Sequence, residues 1–207
     1  MRPFIHINCA MSADGKIAGS DRKQVSISSK EDKDRVKSLR MTYDAILVGV
    51  GTIISDDPHL TVKGRTYEEN QVRVVIDPKC RIPRNATVLD HRARTIIAVE
   101  DGNETDIDGA ITIECGSPFN LEVMVEKLST MGIGSILVEG GGETIASFFK
   151  NGLVDRYTVF VGSKIIGGRD APTPADGNGW IIEGGFPLKL IGSEIIGEGV
   201  LLSYEKT

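Results

Sequence analysis

The sequence predicts an α/β fold whose sheet is parallel over most of its width and antiparallel along a C-terminal edge. Three observations carry this. Strand and helix signals alternate up to about residue 150. Beyond that point only strand signals remain. Residues 135–149 read as a buried strand, a bare glycine turn and a helix, the unit from which parallel sheets are assembled.

In chain order, residues 4–11 form a first strand, with Phe4, Ile5, Ile7, Cys9 and Met11 as its apolar members. Asp14-Gly15 marks the turn after it. Ser28 or Ser29 caps a charged helix over residues 30–41, and Glu31 and Asp32 complement the dipole in its first turn. Arg40 lies near the end of that helix and, from this stretch alone, reads as a solvated cation at a helix C-terminus. Residues 44–51 are the clearest buried strand of the first half. They lead to Asp56-Asp57-Pro58, a rigid acidic corner because proline restricts the residue before it. Its spacing suits a turn cap as well as a carboxylate aimed at a ligand. Residues 72–76 form a strand ending at Asp77-Pro78, and the cations Lys79 and Arg81 that follow suit phosphate and solvent equally. Strands over 95–99 and 110–114 flank an acidic surface loop at 101–108. An amphipathic helix over 121–131 ends at Gly132. Ile136, Leu137 and Val138 precede the glycine turn, and Ile145, Phe148 and Phe149 follow it at helical spacing. A long strand over 156–166 breaks at Gly167-Gly168. Residues 172–185 are a proline- and glycine-rich excursion holding Trp180, and strands over 188–191 and 200–204 close the chain. With no repeat and no dividing linker, residues 1–207 are expected to form a single domain.

The triplet Gly140-Gly141-Gly142 is the stretch most suggestive of function. With no Cβ there, another molecule can approach the backbone closely. The helix that follows offers free N–H groups and the positive end of its dipole, which suit phosphate. The plainer reading is a tight strand–helix turn. Two nucleotide motifs fail. Gly162 and Gly167 have the interval of a phosphate-binding loop, but Gly168 stands where lysine is required. Gly49-Val50-Gly51 and Gly140-Gly141-Gly142 each begin a dinucleotide fingerprint, but Ile54 and Ile145 occupy the third glycine position.

The net charge of -5 argues against nucleic acid as a partner. Cys9, Cys80 and Cys115 show neither metal spacing nor a disulfide framework, and Cys9 and Cys115 read as small packed hydrophobes. His6, His59 and His91 are scattered, so no metal site is expected. No secretory core and no apolar run of ~18 residues is present, which points to the cytoplasm and away from the membrane.

Several stretches together resemble a known family. They are Met11-Ser12-Ala13-Asp14-Gly15-Lys16-Ile17-Ala18; residues 45–62 with Val-Gly-x-Gly-Thr and Asp-Asp-Pro-x-Leu-Thr-Val; residues 74–83; Leu137-Val138-Glu139-Gly140-Gly141-Gly142; and Gly152-Leu153-Val154-Asp155. In order and spacing they resemble the riboflavin-biosynthesis reductase family, whose fold is similar to dihydrofolate reductase. Within it the chain looks like the stand-alone archaeal and fungal type, and no zinc-deaminase His/Cys pattern is present.

The resemblance implies an NADPH-dependent oxidoreductase acting on a phosphorylated ribosylaminopyrimidine. Ala10, Thr52 and Asp56 would line the cofactor site, and Gly141, Gly142, Glu143 and Thr144 would hold the pyrophosphate through backbone contacts. Arg40, Leu60 and Lys63 would hold the substrate, with both cations near its 5′-phosphate, and Glu139 would face the pyrimidine. Asn8, also expected at the substrate, stands where bacterial relatives carry lysine. Lys63 replaces a frequent arginine with a point charge. Pro78 stands where many relatives have a serine near the adenosine 2′-phosphate, which leaves NADH open as donor, while Lys79 and Arg81 supply charge there. Asp56, then Glu139, would be the proton donor. Relatives pair as homodimers, so the same is expected here. Two other readings remain. A dihydrofolate reductase-type enzyme leaves Arg40 and Lys63 unexplained. A non-catalytic nucleotide-binding module leaves the Asp56 corner without a task.

Overall fold

The computed structural model describes residues 1–103, 106–179 and 185–207. The chain runs β1 (Phe4–Ser12), α1 (Lys30–Arg40), β2 (Ala45–Gly49), α2 (Val50–Asp56), β3 (Val72–Ile76), a 3-10 turn (Thr87–Leu89), β4 (Thr95–Val99), β5 (Ile111–Glu114), α3 (Leu121–Thr130), β6 (Ser135–Val138), α4 (Gly142–Lys150), β7 (Arg156–Gly162), β8 (Leu188–Ile196) and β9 (Gly199–Lys206). It packs as two compact units: Met1–Phe4 with Leu39–Val138, and Ile5–Ser38 with Glu139–Thr207.

In the first unit the strands follow the order β5-β4-β3-β2-β6, every neighbouring pair parallel. Helices cover both faces of such sheets, so their strands are continuous apolar runs rather than alternating ones. β2 and β4 are accordingly buried along their whole length. Ile46, Val48, Val75 and Ile97 build the core with Val50 and Ile53 of α2. α3 starts where Asn120 caps it, its side-chain oxygen accepting from the N–H groups of Glu122 and Val123. Its buried residues Leu121, Met124, Val125 and Leu128 recur at helical spacing. Arg73 of β3 is fully buried, yet satisfied: its guanidinium donates to Thr95 Oγ1 at 2.9 Å, Asp90 Oδ1 at 2.8 Å and the Asp90 carbonyl at 2.6 Å.

The second unit has the order β1-β7-β9-β8. β1 and β7 are parallel, while β7–β9 and β8–β9 are antiparallel, which is the C-terminal edge expected from the sequence. Of the two serines at the start of α1, Ser29 supplies the cap, accepting from Asp32 N at 3.1 Å. Ile145, Phe148 and Phe149 form the buried stripe of α4.

Four elements depart from the sequence reading. The strand expected over 44–51 ends at Gly49, which has extended dihedrals and opens α2. Val50 and Ile53 bury one turn apart, and strand and helix share one apolar run, which hides the boundary. The strand expected over 156–166 ends at Gly162. A Cβ on Gly162 would lie 2.7 Å from the Ile27 carbonyl oxygen, and the Asp14 carboxylate then captures Ile166 N at 3.0 Å and Gly167 N at 2.7 Å. Backbone donors pulled to a side chain cannot serve a ladder. β8 extends to Ile196, past the expected 191, through a register shift between Leu190 and Gly192. The 3-10 turn at Thr87–Leu89 has no counterpart in the sequence reading. Trp180, together with 104 and 105 of the acidic loop, lies outside the described residues.

Candidate active site

The first unit carries Thr52, Asp56, Leu60, Lys63, Lys79, Arg81 and Arg40. Thr52 and Asp56 sit one turn apart on α2, an i,i+4 pair sharing a face. Asp56 is the last helical residue and is exposed. Its neighbour Asp57 has a different task. It caps α2 in the left-handed conformation, φ 40, and its carboxylate accepts from Thr87 N and Thr87 Oγ1, both at 2.7 Å. Those bonds hold the Asp57 carboxyl below the usual carboxylate range. The acidic corner therefore divides: Asp57 ties α2 to the 3-10 turn, and Asp56 faces out.

Leu60, at φ 51, is 3% exposed and packs into the core beside Ile53 and Val75. Lys63 is exposed on the loop that follows. Asn70, which the sequence reading did not single out, closes that loop. Its Oδ1 accepts from Val62 N at 3.0 Å, and its Nδ2 donates to the Thr66 carbonyl at 2.9 Å. Arg40 is the half-buried last residue of α1. Lys79 and Arg81 are exposed on a turn after β3 that is pinned by buried Asp77, whose Oδ2 accepts from Ile82 N at 2.8 Å.

The second unit carries Asn8, Ala10, Glu139 and the start of α4. Asn8 and Ala10 lie on one face of β1, two residues apart. Asn8 is 5% exposed, and its Oδ1 accepts from Arg35 Nη2 at 2.8 Å and Thr158 Oγ1 at 2.9 Å. Arg35 is held by Asp32 Oδ1 at 2.8 Å, and Thr158 lies 2.8 Å from His6 Nε2. This network of Asp32, Arg35, Asn8, Thr158 and His6 was missed apart from Asn8. Its members are up to 152 residues apart in sequence. Burial, with Arg156 and Arg35 nearby, lowers the His6 pKa to about 4.

Glu139 is half-buried just before the glycines. Gly141 is the N-cap of α4 with φ 79 and brings no side-chain cap. Gly142, Glu143 and Thr144 form the first turn. The expected freedom of approach at the glycines is corrected at Gly142, where the visitor is this chain itself. A Cβ there would collide with the Thr173 carbonyl oxygen, and Asp176 N donates to the Gly142 carbonyl at 3.2 Å. Asp176 Oδ1 in turn accepts from Thr173 Oγ1 at 2.8 Å, which closes the covering turn. Cys115 is buried, as expected, whereas Cys9 is half-buried with its Sγ 3.5 Å from the Tyr157 hydroxyl; burial pushes both thiols up to about 11.

Comparison with known proteins places this architecture. The chain is 38% identical over 214 residues to the 2,5-diamino-6-ribosylamino-4(3H)-pyrimidinone 5′-phosphate reductase of Archaeoglobus fulgidus, covering 96% of each chain. It is 36% identical to the protein of the same name from Methanothermobacter thermautotrophicus, covering 99% of this chain and 98% of that one. Among solved structures, the Saccharomyces riboflavin biosynthesis reductase Rib7 superposes with a TM-score of 0.79 at 19% identity, over 100% of this chain and 90% of that one. Acinetobacter baumannii RibD superposes with a TM-score of 0.84 at 22% identity, and there this chain spans 58% of the longer protein. At those identities the superpositions speak for the fold, which is dihydrofolate-reductase-like. The model of the RibD C-terminal domain matches residues 3–202, nearly the whole chain, and the protein therefore belongs to the RibD C-terminal domain family.

Proposed function

We propose that this protein reduces the ribosylamino side chain of 2,5-diamino-6-ribosylamino-4(3H)-pyrimidinone 5′-phosphate to the ribitylamino product, in the cytoplasm. The observation that carries the reading is alignment over almost the full length of both partners with two archaeal reductases of that name. We assign both compact units to one reductase domain over 1–207.

The hydride comes from NADPH, or from NADH as the alternative donor, and the chain's own task is binding and orientation. The start of α4 fits a pyrophosphate. Gly141 caps it without a side-chain acceptor, so the first-turn N–H groups remain for an anion. Gly141, Gly142, Glu143 and Thr144 serve that end, with Ala10, Thr52 and Asp56 along the cofactor and Lys79 and Arg81 at an adenosine phosphate. Arg40 and Lys63 bind the substrate 5′-phosphate. Asn8, Leu60 and Glu139 shape the pyrimidine end. Asp56 donates the proton, with Glu139 the second candidate.

A second copy of the chain covers β8. Among the described residues it is the last strand of its order and its outer edge is unpaired, and Leu190, Ile191 and Ile195 are 54%, 43% and 81% exposed. A monomer in sedimentation at micromolar concentration would overturn the homodimer.

The activity is tested by mixing the protein and NADPH or NADH with the pyrimidine 5′-phosphate, its dephosphorylated form, or dihydrofolate, and following nicotinamide absorbance. Turnover of the phosphorylated pyrimidine alone is expected. Turnover of dihydrofolate would point to a pterin reductase, and cofactor binding without turnover of any substrate to a binding module.

A further inference from the structure

We infer that Arg35 and Thr158 are positioning residues that fix the Asn8 amide as a hydrogen-bond donor toward the pyrimidine substrate. The inference rests on the proposed function for the identity of that ligand, but its geometry is internal to the second unit.

A guanidinium carries donors only, so the Asn8 atom 2.8 Å from Arg35 Nη2 is the amide oxygen. Thr158 Oγ1 reaches the same oxygen at 2.9 Å. A carbonyl oxygen has two lone pairs, and both are now used. The single Thr158 proton goes to Asn8, so the neutral His6 ring donates its Nε2–H to Thr158 across 2.8 Å. Donation thus runs one way, from His6 through Thr158 and from Arg35, onto Asn8 Oδ1. Arg35 cannot swing aside, because its Nε also donates to Asp32 Oδ1 at 2.8 Å, and Asp32 is 1% exposed.

An asparagine side chain ordinarily presents a donor or an acceptor by flipping its amide. Here flipping would set the NH₂ group against two donors. The amide is therefore locked, and what remains is Nδ2, which makes no hydrogen bond to any described residue. Asn8 is 5% exposed and its oxygen is held from within, so Nδ2 is the atom left to face solvent, where an acceptor atom on the ligand takes the place of water. The lock also works against ligands: one that presents an N–H or O–H at this point meets a donor that cannot turn away. Arg35 and Thr158 thereby set the polarity of recognition without touching the ligand.

Asn8→Asp tests this with little change of shape. One carboxylate oxygen still accepts from Arg35 and Thr158, while the other replaces the Nδ2 donor with an acceptor. The variant is expected to stay folded, melting somewhat lower because a second carboxylate then shares Arg35 with buried Asp32, and to bind NADPH as tightly in a fluorescence titration. Its KM for the pyrimidine 5′-phosphate is expected to rise about tenfold to a hundredfold, the effect of losing one hydrogen bond and placing two acceptors face to face. Thr158→Val, which removes one of the two donors holding the amide, is expected to raise KM by about threefold. Asn8→Asp combined with Thr158→Val is expected to be no worse than Asn8→Asp alone, because Thr158 acts only through Asn8. A parental KM in Asn8→Asp, or losses that multiply in the double variant, would overturn the inference. Parental protein that binds NADPH but turns over no pyrimidine phosphate would instead sink the proposed function.

Discussion

Acidification provides a quantitative test of the buried network. His6 is held neutral in the fold, first by burial and then by the charges of Arg156 and Arg35, with its pKa lowered from 6.5 to about 4. The unfolded chain therefore takes up the proton first as pH falls. Stability from this residue is complete above about pH 6.5, declines as pH drops toward about 4, and then levels off. Between about pH 7.5 and about pH 5 that separation corresponds to a loss of about 2 kcal/mol, a large share of a typical 5–15 kcal/mol. Unperturbed carboxylates remain largely ionised across this window, so they contribute little. With a urea slope of roughly 2 kcal/mol per molar, the unfolding midpoint should fall by about 1 M. The control is His6→Gln, whose side-chain amide can donate to Thr158 as the imidazole does but cannot titrate. Its midpoint should be nearly flat over the same interval. A flat parental midpoint, or an equal fall in His6→Gln, would refute the claim that a buried neutral imidazole is the acid-sensitive group.

Four further outcomes are expected. Arg40→Ala should raise KM for the pyrimidine 5′-phosphate roughly tenfold to a hundredfold, since a charge-assisted hydrogen bond is worth about 1.5–3 kcal/mol, and leave NADPH affinity unchanged. Lys63→Ala should do so more weakly, and equal losses on the dephosphorylated substrate would remove both residues from the phosphate. Arg73→Ala should cost about 3–5 kcal/mol in chemical denaturation, because Asp90 and the Ala93 carbonyl lose a fully buried partner; a cost below ~1 kcal/mol would mean that water replaces the guanidinium. Gly141→Val should strongly weaken NADPH binding in a protein that still folds but melts lower, because φ 79 strains a branched residue; normal affinity would remove the pyrophosphate from this turn.

Local chemistry was sufficient for most of the framework. Apolar runs such as 72–76 and 95–99 are strands because a parallel strand is buried on both faces, and that demand is written continuously along the chain. The α3 start follows from Asn120 and its stripe from four residues at helical spacing, all within one segment. The C-terminal change from alternating elements to strands alone announced the antiparallel edge. The glycine triplet marked the start of α4, and the motif set around it marked the family.

What the tertiary structure decided are contacts between residues far apart in sequence. Asn8 reads as one polar residue in an apolar strand, and only the fold brings Arg35, 27 residues away, and Thr158, 150 residues away, onto its oxygen. Asp57 and Asp56 are alike in sequence and both exposed, and Thr87, 30 residues on, separates a carboxylate tied into the fold from one with no hydrogen bond to a described residue. The same holds for Gly142, whose missing side chain makes room for Thr173 and Asp176, and for Asp14, which fixes the segment after β7 by taking the N–H groups of Ile166 and Gly167. Backbone propensity and apolar period act over a few residues, so they can be read along the chain. A hydrogen bond acts over about 3 Å of space, and which residues come that close is settled only when the chain has folded.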